Sequence, residues 1–147
     1  MRDSMGGSVV LVIIVVFIVI ALGYMAFNVN YTKAFRMKNK IISVYEDYDG
    51  ECLSECQKRI NEYAKTIGYS VGKKINCPNG FDGQNGIYCY KKFTYVNREY
   101  GENVVNDLKE KHYYRIITKI NVEIPIINNI LDLKIFYITG DTKTFEE

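Results

Sequence analysis

Four cysteines offer the most chemistry in this chain of 147 residues: Cys52, Cys56, Cys77 and Cys89. Thiolates can hold zinc, and paired thiols can close disulfides. Structural zinc sites draw ligands from close C-x2–4-C pairs. Here the pattern is C-x3-C, a gap of twenty residues, then C-x11-C, so only the first pair qualifies. An even cysteine count in a small domain attached to an apolar segment points instead to disulfides in an oxidising compartment. The single histidine, His112, has no nucleophile motif beside it and reads as a structural or surface residue. Gly80 to Gly86, GFDGQNG, is glycine-rich enough to suggest a phosphate cradle. It lacks a following helix and a G-K-[ST] sequence, so a hairpin turn is expected. Asp82 and Asn85 are too few for a calcium loop, and Glu46, Asp47 and Asp49 lack its alternating ligand spacing. No metal or cofactor is expected, and the chain does not read as an enzyme.

The elements that position these residues begin with an uncharged run. Val9 to Phe27 reads VVLVIIVVFIVIALGYMAF. As a helix it spans roughly 28 Å, close to the ~30 Å hydrocarbon core of a bilayer. In lipid the need to satisfy every backbone group internally overrides the modest helix propensity of Val and Ile. Residues 1–8 are a short flank, 9–27 a transmembrane helix, and 28–147 a domain beyond the membrane. The apolar run is too long for a cleaved signal peptide, although Ala21-Leu22-Gly23 resembles a weak cleavage box. Orientation carries two opposed signals. Lys33, Arg36, Lys38 and Lys40 follow the span, whereas Arg2 before it is offset by Asp3. The positive-inside rule would keep the domain cytoplasmic; the cysteines favour the outside, and the expectation is a single-pass protein with an extracytoplasmic domain.

Lys+Arg number 19 and Asp+Glu 17, a net charge of +2, which argues against a nucleic-acid partner. The 48% hydrophobic and 14% aromatic content excludes a disordered chain. Residues 28–48 contain neither proline nor glycine, and Ala34, Phe35, Ile41, Ile42 and Tyr45 fall at helical spacing. The membrane helix should therefore run on as an amphipathic one. Asp49 is the expected N-cap of a second helix from Glu51 to Ile67, striped by Leu53, Cys56, Ile60, Tyr63, Ala64 and Ile67, with Gly68 as its left-handed stop. Alternation then takes over: a short strand over 69–74, a second over 87–98, a third carrying Tyr114, Ile116, Thr118, Ile120, Val122 and Ile124, and a fourth from Leu131 to Tyr137. Gly101 to Lys111 reads as a loop or single helical turn, and Pro125 with Asn128-Asn129 as a turn. Helices first and strands later make an α+β domain with an antiparallel sheet of three to four strands.

On this sketch Cys52 and Cys56 project side by side from an intact helix, which strains a bridge between them. A strand returning from Gly68 should bring Cys77 back to the start of that helix, with Cys89 beside it. The expectation is two bridges from helix to hairpin, with the choice of partners open. Thirteen tyrosines form either ordinary sheet or a sticky external surface. Asn30-Tyr31-Thr32 matches a glycosylation sequon close to the membrane.

Gly6-Gly7 at the head of an uncharged helix, its amphipathic extension and an antiparallel sheet, with a tail reading Ile124-Pro125-Ile126-Ile127, Leu133-Lys134-Ile135 and Thr139-Gly140-Asp141-Thr142, resemble type IV pilins and pseudopilins, and more narrowly the TadE-type minor pilins. The resemblance implies a structural subunit or assembly factor of a pilus-like secretion apparatus whose partners are the lipid bilayer and other pilin-like subunits or secretion-machine proteins. It also implies a peptidase cut after Gly6 or Gly7. The family's glutamate would then fall at Leu11 or Val12, a departure consistent with a minor or tip subunit. Gly23 and Ala26, small residues that let helix backbones meet, are the expected packing positions. The competing expectations are a monomeric anchored ectodomain that binds a ligand or partner, and a cytoplasm-facing protein with a thiolate metal site.

Overall fold

The computed structural model describes residues 2–69, 76–97, 109–120 and 136–146. A single helix, α1 (Arg2–Asp47), runs unbroken for 46 residues. Nothing in residues 28–47 interrupts it, and Ala34, Met37, Ile41, Val44 and Tyr45 form its buried stripe. Met37 and Val44 belong to that stripe, whereas Phe35 is exposed. The helix ends where Asp49 and Gly50 both turn left-handed, at φ 49° and 84°. Gly50 donates its N–H to the Tyr45 carbonyl at 2.8 Å, and Asp49 to that of Glu46 at 3.4 Å, the reciprocal bonds of a Schellman stop.

Asp49 therefore closes the first helix instead of capping the second. The second, α2 (Ser54–Thr66), starts three residues later than expected, with Leu53 at its N-cap and no side-chain cap. Cys56, Ile60 and Ala64 are its buried residues. Gly68 stops it at φ 61° as expected, and the Gly68 and Tyr69 amides return to Lys65 and Ala64.

The strands β1 (Asp82–Gln84), β2 (Tyr88–Asn97), β3 (Lys109–Ile120), β4 (Phe136–Asp141) and β5 (Phe145–Glu146) form one antiparallel sheet. Its order is β1-β2-β3-β4, with β5 beside the start of β3. The expected loop at Gly101–Lys111 gives way to strand from Lys109 onward. Positions 70–75, 98–108 and 121–135, where a first strand, a loop, the Pro125 turn and the start of the last strand were expected, lie outside the described residues.

Register decides which side chains meet the helices. Tyr88 pairs Thr118, Tyr90 pairs Ile116, and Ile138 pairs Thr118 from the other side. These residues face α1 and α2 and make the main core with Met37, Ile41, Ile60 and Ala64. The Thr118 hydroxyl, buried among them, donates to the Ala34 carbonyl at 3.1 Å. Cys89 and Ile117 point the other way and form a second cluster with Cys77 and Phe81. The whole is an α+β arrangement, two helices covering one face of an antiparallel sheet.

Candidate functional site: the bare half of the long helix

Helix α1 has two halves with opposite surroundings. From about Ala34 to Tyr45 it is the spine of the core. From Val9 to Met25 every large apolar side chain is between 39% and 71% exposed, on all sides of the helix. A soluble monomer rarely leaves an apolar patch of more than a few hundred Å² uncovered. The segment is long and apolar enough to cross a membrane, and its bareness separates it from the core helix of a soluble protein.

Small residues sit along this half. Gly6 and Gly7 lie inside the helix, and a Cβ added to Gly7 would meet nothing within 4 Å. Gly23 and Ala26 are half-buried. With Phe27, Asn30 and Ala34 they continue, at spacings of three and four, the stripe that faces the domain. The Asn30 amide donates to the Ala26 carbonyl at 3.0 Å, so the sequon lies inside a helix instead of on a loop.

An aromatic ladder marks where the bare half ends. Phe27, Tyr31 and Phe35 stack at 6.3 Å intervals, and Phe136 at the start of β4 meets Phe27 edge-on at 6.2 Å. Of the basic residues that follow the span, three are used by the fold. Lys33 donates to the Gly68 carbonyl at 3.5 Å, Lys38 lies over the Phe35 ring at 4.5 Å, and Lys40 lies over Tyr63 at 5.9 Å. Three of the charges that a topology count would weigh toward the cytoplasm thus also touch groups of the chain itself.

All four cysteines are bridged, but not between helix and hairpin. Cys52 pairs with Cys56, and Cys77 with Cys89. The first pairing is possible because α2 begins at Ser54. Cys52 precedes the helix and swings over its first turn, at a Cα separation of 5.1 Å. The second follows from strand parity. Tyr88 and Tyr90 face the helices, so Cys89 between them must face away, and the sheet separates it from α2. The two pairs belong to separate clusters on opposite sides of the sheet, so the four cysteine sulfurs do not converge on one point. Loop closure by these bridges is worth about 2 kcal/mol for the short one and about 3 kcal/mol for the longer.

His112 is buried on the helix-facing side of β3, 5.8 Å from Tyr114 and 5.5 Å from Phe145 between ring centroids, and serves as packing. On the opposite face of the sheet Phe93 stacks on Tyr113 at 5.2 Å, and Arg115 lies 5.1 Å from the Phe93 centroid. Arg115 also donates two hydrogen bonds to Asp141, at 2.7 and 2.8 Å, and these hold the Asp141 carboxyl below its usual range. The tyrosine count suggested an external aromatic surface without placing it; the alternation of Lys91, Phe93 and Tyr95 with Lys92 and Thr94 was the signal for its position. In comparison with known proteins, the chain matches no family model, no curated protein and no solved structure.

Proposed function

We propose that this protein is a membrane-anchored, pilin-like structural subunit or assembly factor of a pilus-like or Tad-like secretion apparatus, acting by helix–helix packing, with its domain outside the cytoplasm. The observation that carries the reading is the division of α1: one continuous helix is bare and apolar for its first half and the core's spine for its second. Such a helix waits in lipid and then exchanges lipid contacts for neighbouring helices. Gly7, where an added Cβ would meet nothing within 4 Å, provides the low profile that close backbone approach requires, whereas Gly23 and Ala26 lie on the stripe turned toward the chain's own domain. Two disulfides support an oxidising compartment for the domain.

The test uses two differently tagged copies of the full chain, co-expressed in membranes and extracted in mild detergent. Wild-type copies are expected to co-purify, and Gly7→Leu to abolish it while each copy stays membrane-bound. Retention by Gly7→Leu, or no association of wild type, counts against the reading. A second reading, an anchored ectodomain that does not polymerise, is favoured by the outer sheet face of Phe93, Tyr95, Tyr113 and Arg115, which offers a partner aromatic and cationic contacts.

A further inference from the structure

Phe27 is the last residue of the apolar run, and it is not free of the domain. Its ring meets Phe136, the first residue of β4, which is itself 48% exposed. The start of β4 therefore stands at the depth where a bilayer-spanning helix leaves the hydrocarbon. Tyr137, the next residue, is 38% exposed, and on the helix Tyr24 and Tyr31 are 68% and 44% exposed at the same end. Aromatic side chains with one apolar and one polar aspect are the ones enriched at the membrane–water boundary. Lys33 and Lys119 supply cations at this end, as phospholipid phosphates require.

This end of the domain is also braced. The Tyr69 hydroxyl donates to the Lys119 carbonyl at 2.8 Å and accepts from the Lys119 amide at 2.9 Å. Lys33 reaches Gly68 from α1, and Tyr137 donates to the Asn76 carbonyl at 3.2 Å. Tyr69 thus ties the exit of α2 to the end of β3, and register ties β3 to β4 through Ile120 and Phe136. Phe136 cannot move relative to Phe27 without breaking these contacts.

We infer that the Phe136–Tyr137 end of the domain is a bilayer-docking face, seated in the phospholipid headgroup region of the membrane that α1 crosses. The inference rests on the reading of α1 as a membrane span. Its occupant is lipid because the face is continuous with the span and carries both aromatic and cationic groups. Seating fixes the sheet against the membrane until the subunit is drawn into an assembly.

The chain contains no tryptophan, so each Trp variant carries a single reporter. The full chain is reconstituted into phosphatidylcholine vesicles whose acyl chains are brominated near the glycerol end, and quenching is compared with unbrominated vesicles. Phe17→Trp reports the span. Phe136→Trp, with Tyr137→Trp as a second variant, reports the docking face. Tyr95→Trp reports the far end of the sheet, some 30 Å along the strands from Ile120. Docking predicts strong quenching at 136 or 137 and none at 95. Quenching at 17 with none at 136 and 137 overturns the docking face and leaves the span standing. An emission at 136 that shifts to the blue with rising protein-to-lipid ratio, without bromine quenching, assigns the face to a second copy and overturns the proposal. No quenching at 17 overturns the span, and the docking face with it.

Discussion

Gly50→Ala tests the packing of the helical turn against the sheet at its tightest point. Gly50 has φ 84°, and a Cβ there would lie 2.9 Å from Tyr114 Cε2 and 3.3 Å from both Phe145 Cδ2 and Cε2. Left-handed backbone costs a non-glycine residue about 1–2 kcal/mol. Forcing a methyl into a filled site costs about 1–3 kcal/mol more. The sum, about 2–5 kcal/mol, is a large share of the ~5–15 kcal/mol that stabilises a typical domain. Phe145 is buried, whereas Tyr114 borders an open cleft that Gly50, Tyr45 and Tyr90 also line and into which its ring can give way, so the lower part of that range is expected. The assay is thermal unfolding of the full chain in detergent, followed by tyrosine near-ultraviolet circular dichroism with the disulfides intact. The midpoint should fall on the order of 10 °C or more. Two controls separate strain from general damage. Asp49→Gly relieves the neighbouring positive φ of 49° and should be neutral or stabilising. Gly7→Ala, with nothing within 4 Å, should leave the domain's transition in place. A Gly50→Ala midpoint within a degree or two of the parent would refute the close approach of the turn to Tyr114 and Phe145.

Tryptic digestion without reductant reads the disulfide pairing directly, because Cys52 and Cys56 share the peptide 41–58 while Cys77 and Cys89 share 75–91. Each peptide should appear alone and two hydrogens lighter than its reduced form; a cross-linked pair of peptides would restore the helix-to-hairpin connectivity. The buried hydroxyls of Tyr45 and Tyr88 bond only each other among the described residues, at 3.2 Å. Tyr45→Phe should therefore cost about 1–3 kcal/mol by stranding its partner, and the double Tyr45→Phe/Tyr88→Phe variant should recover part of that loss in denaturant unfolding. Burial pushes the Tyr45 and Tyr69 hydroxyls from about 10 up to about 12. The stability tied to these protons is whole below pH 10 and is lost as pH rises through about 12, at up to about 1.4 kcal/mol per group per pH unit. Urea midpoints measured from pH 9 to 12 should fall steeply above pH 10, and Tyr69→Phe should flatten that slope.

Much of the layout was legible because long elements repeat their pattern. The stripe Cys56, Ile60, Ala64 is helical at first sight, Gly68 announces its stop, and Ile116, Thr118 and Ile120 alternate with Arg115 and Lys119. The errors arose at junctions. Asp49 has the side chain of an N-cap, yet the adjacent Gly50 lets both residues turn left-handed and close α1 instead. That three-residue displacement of α2 freed Cys52 from the helix and changed its partner. The parity that sets Cys89 apart from Tyr88 and Tyr90 was already in the sequence, but reading it required knowing which face of the strand met the helices. β1 and β5, three and two residues long, have too few positions to show any period; only pairing with β2 and β3 defines them. The bare helix was the most legible feature of the site. Its contact with Phe136 was not, because 109 positions separate the two rings along the chain.

An anchor continuous with its domain's spine has no hinge. From Phe27 to Asp47 the helix continues for about 30 Å beyond its apolar run without glycine or proline. Whatever angle the bare half takes is copied by the sheet that packs on the other half. A tilt of about 20°, ordinary for a membrane helix, sweeps the far end of the domain sideways by about 10 Å. In the proposed assembly, neighbours that contact only the bare half would thereby determine which way the sheet faces, and a pull on the domain would be delivered straight down the helix axis.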